Sequence, residues 1–168
     1  EMTFDDFEGF SGLVLDNTWR LLGQKVVLRI PNSKHEVSQY HGRMSTIPLD
    51  RWQLRKCFVV EAKPKWKGHP FSRRILFIDE QTYSVAMSLI FDRSDKLFKV
   101  ISVVYGRVDS KGKNVLGDSV PNFRSTNVIN LRDDIASLGG VTRETAYPQL
   151  KVREVRKLFS VSSLTSGR

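Results

Sequence analysis

Residues 51–63 read RWQLRKCFVVEAK and decide the fold of this chain, because apolar and polar side chains alternate along them. The even positions include Trp52, Leu54, Phe58 and Val60, and most of the odd positions carry a charge or an amide. A period of two is typical of a β-strand that turns one face to a core and the other to water. We predict such a strand here.

A second stripe with the same period covers residues 83–91. Its apolar members are Tyr83, Val85, Met87, Leu89 and Phe91, and small or polar residues stand between them. We predict a shorter apolar strand from Phe71 to Ile78 and a longer strand from Leu97 to about Val108. Because turn residues separate these strands, the stretch from Arg51 to Val108 predicts an antiparallel meander of four strands.

The rest of the chain adds further strands and one helix. Trp19 to Ile30 is strand-like, but the parity of its apolar residues changes at Gly23, which predicts a β-bulge there. Phe123 to Leu131 and Ile135 to Leu138 predict two more strands. Pro148 and the residues up to Leu158 predict a short C-terminal helix. The predicted fold class is therefore mainly β, with one curved antiparallel sheet and little helix.

Length and composition fit a single domain over residues 1–168, with 40% hydrophobic residues and no apolar run near the ~20 residues that span a bilayer. The formal net charge is +9, and much of the excess lies between Arg51 and Arg74 and in the tail from Lys151 to Lys157. Such a surplus favours an anionic partner: nucleic acid, anionic lipid or an acidic protein. Solvated strand edges are the plainer explanation, since lysine on an edge prevents unwanted strand pairing.

Motifs for chemistry are scarce. The single cysteine, Cys57, excludes an internal disulfide, and no motif places a base beside it. The glycines match no nucleotide-binding spacing, and His35 and His41 lack the further ligands of a zinc site. Adjacent carboxylates such as Asp5-Asp6 point apart on an extended chain and fit turns better than acid–base pairs. We therefore predict no catalytic residues, no metal, no cofactor and no enzymatic activity.

Basic and aromatic residues are interleaved around a predicted hairpin at residues 64–68. The residues predicted to contact an anionic surface are Lys65, Trp66, Lys67, Arg73 and Arg74. Trp52 and Phe58 fall on the apolar parity and should face the core, which leaves Trp66 free. A tryptophan between lysines suits an anionic membrane surface. Base stacking beside phosphate contacts is the alternative, and a single free aromatic ring makes nucleic acid the weaker candidate.

Several blocks of the sequence resemble a proteobacterial family of unknown function whose members are often described as similar to outer-membrane lipoprotein-sorting proteins. The blocks are DDFEGFSG (5–12), WRLLGQK (19–25), RWQLRK and VVEA (51–56 and 59–62), IDEQTY (78–83) and FDRSDKLFKV (91–100). The third block is similar to the family segment RWELHRVWVVEA, from which Cys57 and Phe58 depart. The resemblance spans about Asp5 to Lys157, and the blocks are specific together rather than singly.

The resemblance implies a half-open antiparallel barrel similar to the Lol lipoprotein carriers, in which a curved sheet and a helical lid enclose an apolar cavity for acyl chains. It also implies a location in the periplasm or at the periphery of the outer membrane. Family members are usually longer and carry an export signal. We therefore expect this chain, in which we recognise no signal peptide, to be the C-terminal half of an envelope protein.

The predicted sheet has more apolar surface than its few helices can cover. The leading hypothesis is therefore a cell-envelope binding or carrier protein for a hydrophobic ligand, such as a lipid or the acyl chain of a lipoprotein. The predicted ligand wall consists of Trp52, Leu54, Phe58, Val60, Tyr83, Val85, Met87, Leu89 and Phe91. The alternatives are an interaction module that docks on an envelope transport protein and, third, a nucleic-acid-binding domain. For each residue of the wall, the alternative interpretation is ordinary packing in the core without ligand contact.

Overall fold

The computed structural model describes residues 2–35, 38–106, 121–140, 151–153 and 156. Within them the strands are β1 (Asn17–Arg29), β2 (Tyr40–His41), β3 (Ile47–Pro48), β4 (Gln53–Pro64), β5 (Phe71–Asp79), β6 (Val85–Asp92), β7 (Leu97–Gly106), β8 (Asn122–Asn130) and β9 (Ile135–Gly140). Short 3-10 helices cover Phe4–Gly9, Val14–Asp16 and Arg43–Ser45. Seven strands form one antiparallel sheet in the order β1-β4-β5-β6-β7-β8-β9, and β2 pairs with β3 separately.

The mainly β fold is confirmed, and so is the meander from β4 to β7. The predicted bulge is present in β1, where pairing with β4 shifts between Leu21 and Gly23. β6 begins later than the predicted stripe, since Tyr83 has a positive φ of 55° and belongs to the turn before the strand. The predicted helix from Pro148 to Leu158 falls mostly on residues outside the described ranges.

Cross-strand pairing assigns side chains to two faces, because directly paired residues point to the same side of a sheet. One row of paired residues consists of Leu21, Val60, Leu76, Ser88, Ile101, Val128 and Ser137. We call this side the N-terminal face, since residues 3–16 pack on it. The second row consists of Gly23, Val59, Phe77, Met87, Ser102, Asn127 and Leu138, and we call its side the opposite face.

The sheet is curved and open. Its curvature is evident from the chain that leaves β1, which crosses over to β7. The amide of Ser33 donates to the carbonyl of Tyr105 (2.6 Å), and the amide of Tyr105 donates to the carbonyl of Ile30 (3.1 Å). In sheet order β4, β5 and β6 lie between β1 and β7, so a flat sheet would separate them by roughly 19 Å. The sheet therefore bends over its opposite face at this end, where Arg29 and Asp79 are buried.

Two hydrophobic clusters form the core. The cluster on the N-terminal face contains Ile90, Ile101, Val103, Tyr105, Phe123 and Val128. The cluster centred on the opposite face contains Cys57, Val59, Ile75, Phe77 and Ala86. The loop that carries β2 and β3 covers part of the opposite face. There the Tyr40 hydroxyl donates to Ser125 Oγ (2.6 Å), and Asn127 Nδ2 donates to the carbonyl of Thr46 (2.6 Å).

A buried charge cluster holds residues 3–16 on the N-terminal face. The Asp6 carboxylate is fully buried, and its oxygens lie 2.8 Å from Arg74 Nη2 and 3.4 Å from Lys99 Nζ. Arg74 Nη1 also donates to the carbonyl of Gly9 (2.7 Å). Because a buried charge is costly without partners, these contacts fix the position of the N-terminal segment over the middle of the sheet.

Candidate functional site

A strongly exposed apolar surface lies on β1 and β4. Its most exposed members are Leu21, Val26, Leu28 and Leu54, with exposed fractions of 64, 62, 61 and 70%. Leu28 lies directly opposite Leu54 and Leu21 lies opposite Val60, all on the N-terminal face. The half-buried side chains of Phe58 and Val60 continue this surface along β4. We call these six residues the apolar strip.

The bulge in β1 is what brings the strip together. Leu21 and Val26 have opposite parity in the sequence, so a regular strand would point them to opposite faces. The pairing shift between Leu21 and Gly23 adds one residue and returns both side chains to the N-terminal face. Gly23 suits this position because its φ of +136° is one that other residues rarely adopt.

The strip stays open because the N-terminal segment stops short of it. The Trp19 indole donates to the carbonyl of Val14 (2.8 Å), and its ring meets the ring of Phe10 edge-on at 5.3 Å between centroids. Beyond Trp19, the next side chain on this face, Leu21, is already exposed. β1 is also the edge strand, with β4 as its neighbour in the described sheet. The strip is therefore bounded by a covered core on one side and by a strand edge on the other.

The residues of the predicted ligand wall are divided between the two faces. Leu54, Phe58, Val60 and Val85 lie on the N-terminal face, and Met87, Leu89 and Phe91 lie on the opposite face. The division arises because Val60 pairs with Leu76 and Leu76 with Ser88, so the even positions of β4 share a face with Ser88 and not with Met87. A slip in pairing between Phe77 and Ile78 then returns Val85 to the face of Val60. This corrects the assumption that the stripe of β6 shares one face with the stripe of β4. Ligand contact by these residues stays a prediction.

The two remaining members of the predicted wall lie next to the strands rather than in them. Trp52 precedes β4, is 41% exposed and donates from its indole to the carbonyl of Pro48 (3.3 Å). Tyr83 lies in the turn between β5 and β6 and is 74% exposed. Both side chains are accessible, but neither is part of a paired row.

The predicted contacts with an anionic surface are also divided. Lys65, Trp66 and Lys67 are exposed in the turn between β4 and β5. Arg73 is paired with Asp95 (2.6 Å). Arg74 is buried against Asp6 and covered by the N-terminal segment, so its assignment to the surface was wrong. Sequence alternation does not reveal a salt bridge to a residue 68 positions away.

Sequence reasoning missed a buried polar cluster on the opposite face. Asp79 is fully buried, receives hydrogen bonds from Arg55 at 2.8 and 3.1 Å and lies 3.3 Å from Arg29 Nη1. Burial alone would raise the pKa of Asp79, but hydrogen bonds from Arg55 and from the amides of Gln81 and Thr82, together with the charge of Arg29, lower it to about 2. The signal available in the sequence was Asp79 at the start of a turn, where its carboxylate caps two amides.

The pKa values of two neighbours of Asp79 are shifted in the direction that burial favours. Burial lowers the pKa of Arg29, against the opposing effect of Asp79, and burial raises the pKa of the Cys57 thiol. Cys57 is fully buried, as expected for a strand residue, and a neutral thiol is a poor nucleophile. This cluster therefore acts as an internal support for the curved end of the sheet.

A cavity of about 630 Å³ is lined by both the N-terminal segment and the turn between β4 and β5. Its lining residues are Thr3, Asp5, Phe10, Gly12, Leu13, Asp16, Asn17, Ala62, Pro64, Lys65, Trp66, His69, Pro70, Phe71, Arg73 and Arg74. Its size falls in the range of small-molecule sites. Its charges are balanced, since carboxylates and cations both line it, and Arg73 and Arg74 are paired with Asp95 and Asp6.

No group of three or more His, Cys, Asp or Glu side chains that would hold a metal ion occurs in the described part of the chain. Among the same residues, no helix has the length and apolar character needed to cross a membrane.

The open antiparallel sheet defines a class of fold that a solved structure shares. A crystal structure from Vibrio parahaemolyticus, of a domain provisionally named as an outer membrane lipoprotein-sorting protein, is 15% identical with a TM-score of 0.52 and covers 89% of this chain. A DUF1329 family protein from Desulfovibrio piger is 14% identical with a TM-score of 0.49, again over 89% of this chain. No curated protein matches.

The sequence itself places the chain in a family. Residues 1–165 match the model of the protein family of unknown function DUF1329, and the chain belongs to that family. It spans about half the length of the solved structures, 50% of the Vibrio chain and 47% of the Desulfovibrio chain.

Proposed function

We propose that this domain binds a hydrophobic molecule, a lipid or the acyl chain of a lipoprotein, as a non-catalytic carrier or binding protein of the cell envelope. The observation that carries the proposal is the apolar strip, in which four aliphatic side chains on one face of β1 and β4 stay more than half exposed, with Gln24 and Lys56 between them. Exposed apolar side chains grouped on one face mark a binding site more often than apolar residues scattered singly do. The name of the Vibrio domain and its fold support an envelope role.

The strip offers enough apolar area for binding. Fully burying one valine or leucine side chain contributes about 1.5–3 kcal/mol. Four side chains that are 61–70% exposed would therefore contribute roughly 4–8 kcal/mol if a ligand covered them completely. This corresponds to dissociation constants of about 1 mM to 1 μM. Part of it is lost to association and to ordering of the ligand, so the strip alone gives an affinity toward or beyond the weaker end of this range.

Displacement of a fluorescent fatty acid from the chain tests the proposal. We expect saturable binding by the wild type. The double variant L28S/L54S removes two directly paired leucines from the strip and should weaken binding by about tenfold or more. The matched control is L131S/L138S, which makes the same change at exposed leucines of the β8–β9 hairpin and should leave the affinity within about twofold. Absence of saturable binding, or equal loss in both variants, would contradict the proposal.

Docking of a partner segment is the second candidate, and the position of the strip on an edge strand favours it. β1 is 13 residues long, and an exposed, apolar edge strand is a template for further strand pairing. Light scattering after chromatography separates the two functions. A concentration-dependent dimer that L28S/L54S converts to a monomer would support docking, whereas a monomer that binds the fatty acid supports the carrier function.

A further inference from the structure

Two turns lie side by side at the end of the sheet away from Trp52. They are the β4–β5 turn and the β6–β7 turn, and Arg93 in the second donates from Nη2 to the carbonyl of Lys67 in the first (2.8 Å). The turns therefore form one surface. We call it the basic end and define it by the exposed residues Lys65, Trp66, Lys67, Arg93 and Lys96.

The two carboxylates of the β6–β7 turn are engaged elsewhere, and Asp5 and Asp16 lie across the cavity from the β4–β5 turn. Asp95 is paired with Arg73 (2.6 Å) and Asp92 with Arg132 (2.7 Å). Asp92 also accepts hydrogen bonds from the amides of Ser94 and Lys96.

The cations of the basic end are not neutralised by these acids. Lys65, Lys67, Arg93 and the side chain of Lys96 form no ion pair within the described part of the chain. Lys65 Nζ donates to the carbonyl of Leu15 (2.7 Å), a contact that leaves its charge in place. Four unpaired positive charges on one small surface favour a partner with dense negative charge.

Trp66 gives this surface an apolar tip. It is 68% exposed, and its ring lies over Gly68, where an added Cβ would be 2.5 Å from Cζ2. The ring of His69 meets it edge-on at 6.2 Å between centroids. A tryptophan held on a turn between two lysines has the amphipathic character of residues that sit at a membrane–water interface.

We propose that the basic end docks on the surface of an anionic phospholipid bilayer, with Trp66 inserted at the level of the head groups. Charge complementarity with acidic lipids supports this occupant. Nucleic acid fits less well because base stacking needs open aromatic rings. The neighbouring rings are covered by cations: Arg73 lies 3.6 Å from the centroid of Phe91 and Arg132 lies 5.2 Å from that of Phe98.

Co-sedimentation with vesicles tests the proposal, using phosphatidylcholine alone or mixed with phosphatidylglycerol. The wild type should bind the mixed vesicles and release as salt rises. Each lysine near an anionic surface raises the partition coefficient about fivefold. The partition coefficient of K65Q/K67Q should therefore be about 25-fold lower than that of the wild type. The matched control is K34Q/R51Q, which removes the same charge at exposed positions away from the basic end and should change partitioning by no more than about twofold.

A second measurement reports insertion of the ring. The emission of Trp66, obtained as the difference between wild type and Trp66→Phe, should shift to shorter wavelength when mixed vesicles are added. Equal losses in K65Q/K67Q and K34Q/R51Q would show an effect of net charge alone and overturn the proposal. Unchanged Trp66 emission would overturn it as well, as would tight binding of a single-stranded oligonucleotide without binding of mixed vesicles. L28S/L54S should bind vesicles like the wild type. A failure of this proposal can therefore be distinguished from a failure of the proposed lipid-binding function.

Discussion

Replacing Asp6 by asparagine tests what holds the N-terminal segment on the sheet. Asp6 lies between Arg74 and Lys99, and all three side chains are buried. Asparagine keeps the size of the side chain and can still accept the hydrogen bond from the amide of Thr3. The change therefore removes a negative charge and little else, and it leaves two cations facing a neutral group in the interior.

The expected loss follows from the cost of a buried charge without its partner. Removing one member of a buried ion pair lowers the free energy of unfolding by about 3–5 kcal/mol. For a domain of this length, each kcal/mol lowers Tm by about 2–4 °C. We therefore expect Asp6→Asn to lower Tm by roughly 6–20 °C. Asp134→Asn is the control, since Asp134 pairs with Arg43 at the exposed surface, where an ion pair contributes about 1 kcal/mol or less.

Thermal denaturation followed by circular dichroism measures the global effect, and tryptophan emission reports the segment itself. Trp19 forms a T-shaped ring contact with Phe10 and donates to the carbonyl of Val14, so its environment changes if the segment leaves the sheet. A Tm loss in Asp6→Asn no larger than that in Asp134→Asn, with unchanged emission, would refute the role of the charge cluster.

Two further predictions concern backbone conformation and pH. Gly9→Ala should lower the free energy of unfolding by about 1–3 kcal/mol in urea titrations, because Gly9 has a φ of +85° and an added Cβ would be 2.6 Å from Val85 Cγ1. Gly23→Ala should lower the free energy of unfolding by a smaller amount, since nothing lies within 4 Å of its added Cβ. The pKa of Asp79 is lowered to about 2, below the unfolded value of about 3.9. Its stabilising contribution is therefore complete above about pH 4 and lost as the pH falls toward 2, a loss that Asp79→Asn should lack in acid titrations of stability.

The strands, their antiparallel order and the bulge were predictable because they depend on local sequence patterns. Alternation along residues 51–63 and 83–91 specifies strands, and the turns between them are short enough to force antiparallel neighbours. The parity change at Gly23 specified the bulge in β1. These signals involve residues that are adjacent or nearly so, and they do not depend on what lies across the sheet.

The division of side chains between the two faces was not predictable, because it depends on pairing register. A slip of one residue between β5 and β6 moves Val85 to the side away from Met87. The burial of Arg74 depends on Asp6, which is distant in sequence. The exposed strip was only partly visible. Leu54 belonged to the predicted wall, whereas Leu28 becomes its neighbour through the register of β1 with β4.

The two proposed surfaces lie at different points along a single strand. Leu54 lies near the start of β4 and Pro64 at its end, next to the basic end, so the strip and the docking surface lie along one line. At about 3.3 Å per residue, Val60 is roughly 13 Å from Pro64 and Leu54 roughly 33 Å. A bilayer that contacts the basic end would therefore place the near end of the strip within the reach of a lipid chain. On the same face between them Ala62 is buried, so a hydrophobic ligand that moves from the membrane surface to the strip has to pass this covered part of β4.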